Sequence, residues 1–176
     1  MPDDPDLPLL QRFAKGDNAA LGELARRYEQ PLLGLALGIV NNRELARDAV
    51  QDMWVRVIRA AASFQAQSSV RTWMYRILIN RAITLRQAAA RKPVSTTFPE
   101  ADAATAVHAG EEAERIRTAV RELPENQQLI LLLAYHEGLT HEAAADVLGI
   151  PLGTLKSRLH AALTALRAKL GAEVVA

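Results

Sequence analysis

The chain has 176 residues, 49% of them apolar and 23% charged, which excludes a wholly disordered chain and fits one medium domain or two small ones. It has no cysteine, so disulfides, thiol catalysis and thiolate metal sites are excluded. No apolar run reaches the roughly 18 residues that a spanning helix needs, and the opening MPDDPDLPLL lacks the basic segment of a signal peptide; a cytoplasmic protein without direct membrane contact is expected.

The formal net charge is only +1, but its distribution is uneven. Residues 1–52 carry nine acids and six bases, and residues 53–99 carry eight bases and no acid. Residues 100–150 carry ten acids and three bases; residues 151–176 carry four bases and one acid. Two basic blocks alternating with acidic ones predict two contacts with a polyanion and acidic surfaces for other partners.

Helical periodicity dominates the chain. Residues 18–40 place Leu21, Leu24, Tyr28, Leu32 and Leu35 on one face, and Pro31 predicts a kink or a division into two helices. A second helix is predicted over 43–61 and a third over 70–91, separated by a polar loop. Residues 92–111 hold two prolines and many small residues and are predicted to be a flexible linker. Helices follow at about 112–122, 125–137, 141–148 and 152–170. The fold class is therefore all-α: a domain over 1–91, the linker 92–111, and a second domain over 112–176.

The C-terminal domain reads as a helix-turn-helix. Pro124 suits a helix start, Gly138 a stop, and Thr140 an N-cap for the short helix HEAAADVL. Gly149 suits the left-handed residue that ends this helix before the longer final one. On that last helix, Leu155, Leu159, Leu163, Leu166 and Leu170 share a stripe of about 80° and face inward. Thr154, Ser157, Ala161 and Thr164 lie opposite. Small outward residues let a helix lie deep in a major groove, and Lys156 and Arg158 flank that face, with His160 close to Lys156. A plain amphipathic helix with solvated charges would account for the stripe alone; the turn and the bracketing cations favour DNA.

In the N-terminal domain, Ala46, Ala49, Val50, Met53, Val57 and Ala60 are expected to face inward. Asp48, Gln51, Asp52 and Arg59 face outward with Val55 among them, which suits either a protein partner or an ordinary exposed valine. On the third helix, Val70, Met74, Ile77, Leu78, Arg81 and Leu85 cover one side. Trp73, Arg76, Asn80, Thr84, Gln87 and Arg91 line the other, a pattern suited to unpaired bases stacked on an aromatic ring. Burial of Trp73 in the core is the competing reading, as it is for Phe64 in the loop before the helix.

The segments DNAALGELARRY, ELARDAVQDMW, SSVRTWMYRILINRA, LPENQQLILLLAYHEGLTHEAAADVLGI and PLGTLKSRLHAAL together resemble the extracytoplasmic-function sigma factors of bacterial RNA polymerase, over about residues 9 to 170. The resemblance implies that Asp48, Gln51, Asp52 and Val55 dock on core RNA polymerase. It implies that Phe64, Arg71, Thr72, Trp73, Arg76 and Asn80 open and hold the −10 element of a promoter, and that Thr154, Lys156, Ser157, Arg158 and His160 read the −35 element. It also implies an anti-sigma partner, no cofactor, no metal and no catalysis by the chain itself. Thr84 stands where the family often has an acid, His160 where it often has arginine, and Leu21 and Trp54 where it commonly has phenylalanine. The rival readings are an enzyme, a stand-alone helix-turn-helix regulator and a partner-binding module with no DNA contact, which salt-dependent promoter binding would separate. His136 and His141, five apart around Gly138, make a poor zinc pair, and no glycine-rich phosphate loop is present. A stand-alone regulator would leave the Trp73 stripe without a task.

Overall fold

The computed structural model describes residues 4–91 and 111–171. Of the linker expected over 92–111, residues 92–110 lie outside the described residues, as does the side chain of Arg91, and Glu111 already begins a helix. What is described is helical, with no strand, and divides into two compact units, one on each side of that gap.

The N-terminal unit holds α1 (Leu7–Ala14), α2 (Asn18–Val40), α3 (Arg43–Ala60), a 3-10 turn (Ala61–Ser63) and α4 (Val70–Arg91). Helix α1 is not among the elements predicted from the sequence. It packs on α2 and on the 3-10 turn, burying Leu9 and Leu10. Asp17 caps α2, accepting from the backbone N–H of Ala19 at 3.1 Å, and Arg12 of α1 donates to the same carboxylate at 2.9 Å. The Arg12 hydrogen bond holds the Asp17 carboxyl below the usual aspartate value.

Helix α2 runs unbroken through Pro31, so the predicted division does not occur. Proline inside a helix costs about 3 kcal/mol. Leu24, Leu32, Leu35 and Ala36, all fully buried on both sides of Pro31, more than offset that cost if each contributes about 1.5–3 kcal/mol, the small Ala36 less. The helix ends at Asn41, whose φ of 48° is left-handed. Asn42 then caps α3 by accepting from Leu45 N–H at 3.0 Å. Helices α2, α3 and α4 pack on one another around Met53, Val57, Val70, Met74 and Leu78. Tyr75 and Ile79 are buried too, so α4 is covered over a wider arc than its predicted apolar side.

The C-terminal unit holds α5 (Glu111–Arg121), α6 (Glu125–Leu131), a π-helical turn (Leu132–His136), α7 (His141–Leu148) and α8 (Leu152–Leu170). The single helix predicted over 125–137 thus widens into a π turn in its second half, where Glu137 N–H reaches Leu132 C=O at 3.0 Å. Helices α5, α6 and α7 all pack on α8, and Leu123, Ile130, Leu159, Ala162, Leu166 and Leu170 lie in the core.

Candidate nucleic-acid interface

The turn between α7 and α8 aims the last helix. Thr140 caps α7 through its hydroxyl, which accepts from Ala143 N–H at 3.1 Å. Gly149 ends α7 with a φ of 64°, and Ile150 N–H closes back on Ala145 C=O at 3.1 Å. Gly149 N–H meets Asp146 C=O at 3.2 Å. These two bonds satisfy the Ala145 and Asp146 carbonyls near the end of α7 and hold the turn from which α8 departs. Leu155 and Leu159 are buried, so the helix cannot rotate without exposing them. Lys156, Ser157, Arg158 and His160 are consequently exposed, while Thr154 is half-buried. The hydroxyls of Ser157 and Thr164 turn back to the carbonyls of Thr154 and His160, at 3.0 and 2.9 Å, leaving a smooth outer surface between the cations.

In the N-terminal unit, α4 begins with a cap on Ser69. Its hydroxyl accepts from Thr72 N–H at 3.1 Å and donates to Thr72 Oγ1 at 2.8 Å. Thr72, expected among the DNA contacts, is 5% exposed. It is enclosed in this cap and supports the helix start instead of facing outward. One residue on, the half-buried Trp73 meets Phe64 across the loop, ring centroids 4.8 Å apart and planes tilted by 40°. Core burial and an aromatic platform therefore coexist: each ring anchors the other and leaves part of itself accessible. Arg71 lies over the Tyr75 ring at 5.1 Å. Arg76 is half-buried, and Asn80, Thr84 and Gln87 are exposed further along α4.

The acid-free stretch is less outward-facing than its charge suggests. Arg81 pairs with Asp52, and Arg86 donates to the Ile39 carbonyl at 3.1 Å. Both cations bind α4 to its neighbours.

On α3, Asp48 and Gln51 are exposed, Val55 is 38% exposed, and Asp52 is held by Arg81. Ile58, one turn beyond Val55, is 47% exposed and extends the apolar strip. Sequence reasoning passed over Ile58; its spacing of three from Val55 was the available signal. Among the described residues, no group of His, Asp and Glu is arranged to hold a metal ion, and no helix is long and apolar enough to cross a membrane.

Residues 24–92 match the family described as Sigma-70 region 2, and residues 113–166 match Sigma-70, region 4. The RNA polymerase sigma-H factor of Pseudomonas aeruginosa is 30% identical over 176 residues, spanning 92% of this chain and 91% of the relative. The ECF RNA polymerase sigma-E factor of Haemophilus influenzae is 30% identical over 169 residues, spanning 88% and 89%. The solved structure of CnrH in complex with the cytosolic domain of CnrY aligns with a TM-score of 0.74 at 25% identity, covering 96% of this chain and 98% of that one. The sigma factor RpoE bound to the anti-sigma factor NepR, from Bartonella quintana, shares the fold with a TM-score of 0.68 at 21% identity, covering 87% and 98%.

Proposed function

This chain belongs to the extracytoplasmic-function group of RNA polymerase sigma factors, which direct transcription initiation, and we propose that it divides that work among three surfaces. The exposed strip of α3 around Asp48, Gln51, Val55 and Ile58 docks on core polymerase. The Phe64–Trp73 platform, with Arg71, Arg76 and Asn80, holds unpaired bases of the −10 element. The outer face of α8, through Lys156, Ser157, Arg158 and His160 with Thr154 at its edge, reads the −35 element in the major groove.

The observation that carries this reading is the presence of region 2 and region 4, in that order, in one chain. A stand-alone regulator needs only the second. Phosphodiester chemistry belongs to the polymerase, and this subunit supplies binding energy. A platform that binds unstacked bases but not paired ones shifts the duplex toward the melted state by that difference in affinity. Base–aromatic stacking is worth about 1–3 kcal/mol per base, enough for each captured base to matter. The cations on α8 add a sequence-independent attraction to phosphates and hold the frame in which base edges are read.

Core RNA polymerase and promoter DNA are thus the partners, and the cytoplasm is where they meet. The complex of a like-folded sigma factor with NepR supports a further partner, an anti-sigma protein. The test is direct. The purified chain is mixed with bacterial core polymerase at low salt, and transcripts are mapped from a genomic fragment library. New start sites that require the chain are expected. Failure to associate with core polymerase would remove the reading.

A further inference from the structure

The acidic segment ahead of α1 has no counterpart in the surface roles above. It also precedes residue 24, where the region 2 match begins. Yet it is tied to the candidate −10 platform by an unusually long-range contact. The Asp4 carboxylate accepts from Val70 N–H at 2.7 Å, across 66 positions of sequence. Its other oxygen accepts from Asp6 N–H at 3.1 Å, which folds the segment into a tight turn. Asp6 is 2% exposed and accepts from the Arg27 guanidinium and the Tyr28 hydroxyl of α2. The turn is therefore clamped to α2 at one end and to the first turn of α4 at the other.

That first turn is the platform. Val70 is its first residue, and Trp73 N–H bonds to Ser69 C=O at 2.9 Å in the same turn. A helix begins with N–H groups that lack intrahelical partners. Here Ser69 satisfies that of Thr72, and Asp4 satisfies that of Val70. A negative carboxylate at this position also complements the positive end of the α4 dipole. On its other side the N-terminal segment reaches the loop, since α1 packs on the Ala61–Ser63 turn just before Phe64. Both rings of the platform thus issue from backbone that the N-terminal segment braces.

We propose that Asp4 is a positioning residue for −10 capture: it fixes the first turn of α4, and with it Trp73 against Phe64, without touching DNA. The inference rests on the sigma-factor reading. Loss of the brace loosens the platform while leaving the α3 strip and the C-terminal unit as they were. Asparagine retains one acceptor oxygen where aspartate uses two, so it restores part of the effect.

The test uses full-length chain with core polymerase and promoters recovered from its own genomic fragment library. Wild type, Asp4→Asn and Asp4→Ala are compared at a temperature where circular dichroism shows all three folded. Three quantities are read: affinity for core polymerase, capture of a single-stranded oligonucleotide carrying the recovered −10 sequence, and open-complex formation on the duplex. Asp4→Ala is expected to weaken oligonucleotide capture and opening by about fivefold, with core affinity unchanged and Asp4→Asn intermediate. Wild-type capture and opening by Asp4→Ala overturns the proposal. So does a loss of core affinity as large as the loss of capture, which marks general destabilisation. If wild type itself initiates nowhere, the sigma-factor reading fails and the proposal fails with it.

Discussion

Asp52 on α3 and Arg81 on α4 meet at 2.5 Å, so a residue expected to face polymerase is bonded to the helix that carries Trp73. The pair is partly exposed, which limits its worth to about 1 kcal/mol or less. Its position matters more, because it ties together two helices whose outer faces are proposed to meet different partners. A double-mutant cycle of Asp52→Ala and Arg81→Ala is expected to show positive coupling of about 0.5–1 kcal/mol in urea unfolding. Independent effects of the two substitutions would mean the bridge contributes nothing in solution.

The apolar strip of α3 allows the proposed docking to be tested apart from folding. Val55 and Ile58 are exposed, so Val55→Asp or Ile58→Asp is expected to change stability by no more than about 0.5 kcal/mol. Affinity for core polymerase, measured by fluorescence anisotropy, is expected to fall about tenfold or more, equivalent to about 1.4 kcal/mol. Unchanged affinity would move the polymerase surface elsewhere.

Trp73 packs against Phe64 and stays half-buried, which leaves part of its ring accessible for the stacking proposed above. Trp73→Ala is expected to reduce promoter opening by about tenfold or more while leaving polymerase affinity near wild type. Permanganate reactivity of unpaired thymines reports the opening directly. Equal opening by the variant would make Trp73 a packing residue only.

On α8, Lys156 and Arg158 are both exposed, and each can meet DNA in one of two ways. Replacing a cation that meets only phosphate weakens binding to all sequences alike and lowers the magnitude of the log–log salt slope by about 1. Replacing one that meets a guanine edge costs about 1–3 kcal/mol and relaxes one position of the site. Arg158→Ala and Lys156→Ala, titrated against −35 duplexes at several salt concentrations, assign each residue to one class. A variant with wild-type affinity, slope and specificity drops from the interface.

Tyr28 gives the N-terminal unit an alkaline limit. Burial, together with the hydrogen bond to the Asp6 carboxylate, pushes its hydroxyl well above the ordinary tyrosine value of 10.0. Below that value the hydroxyl is neutral in both folded and unfolded chains, and the contact with Asp6 is fully present. As pH rises past it, the unfolded chain ionises while the folded one resists, so stability falls. Tyr28→Phe is expected to destabilise by about 1–3 kcal/mol at neutral pH and to flatten the alkaline decline. Thermal unfolding of both proteins from pH 7 upward, at fixed salt, checks this; parallel curves would exclude Tyr28 as the source.

Much of this protein is determined by local sequence. Gly149 and Thr140 fix the turn and cap of the helix-turn-helix, because left-handed backbone and a short hydroxyl act on their own neighbours. The Leu155–Leu170 stripe fixes which face of α8 is outward, because a helix repeats its geometry every few residues. Only the tertiary structure decided that Pro31 would not break α2, since packing on both sides outweighed a local penalty. It alone decided that Thr72 is enclosed, that Arg81 meets Asp52 and Arg86 the Ile39 carbonyl, and that Asp4 caps a helix beginning at Val70. Those outcomes depend on groups tens of positions apart, and no periodicity records which distant donor a carboxylate will meet.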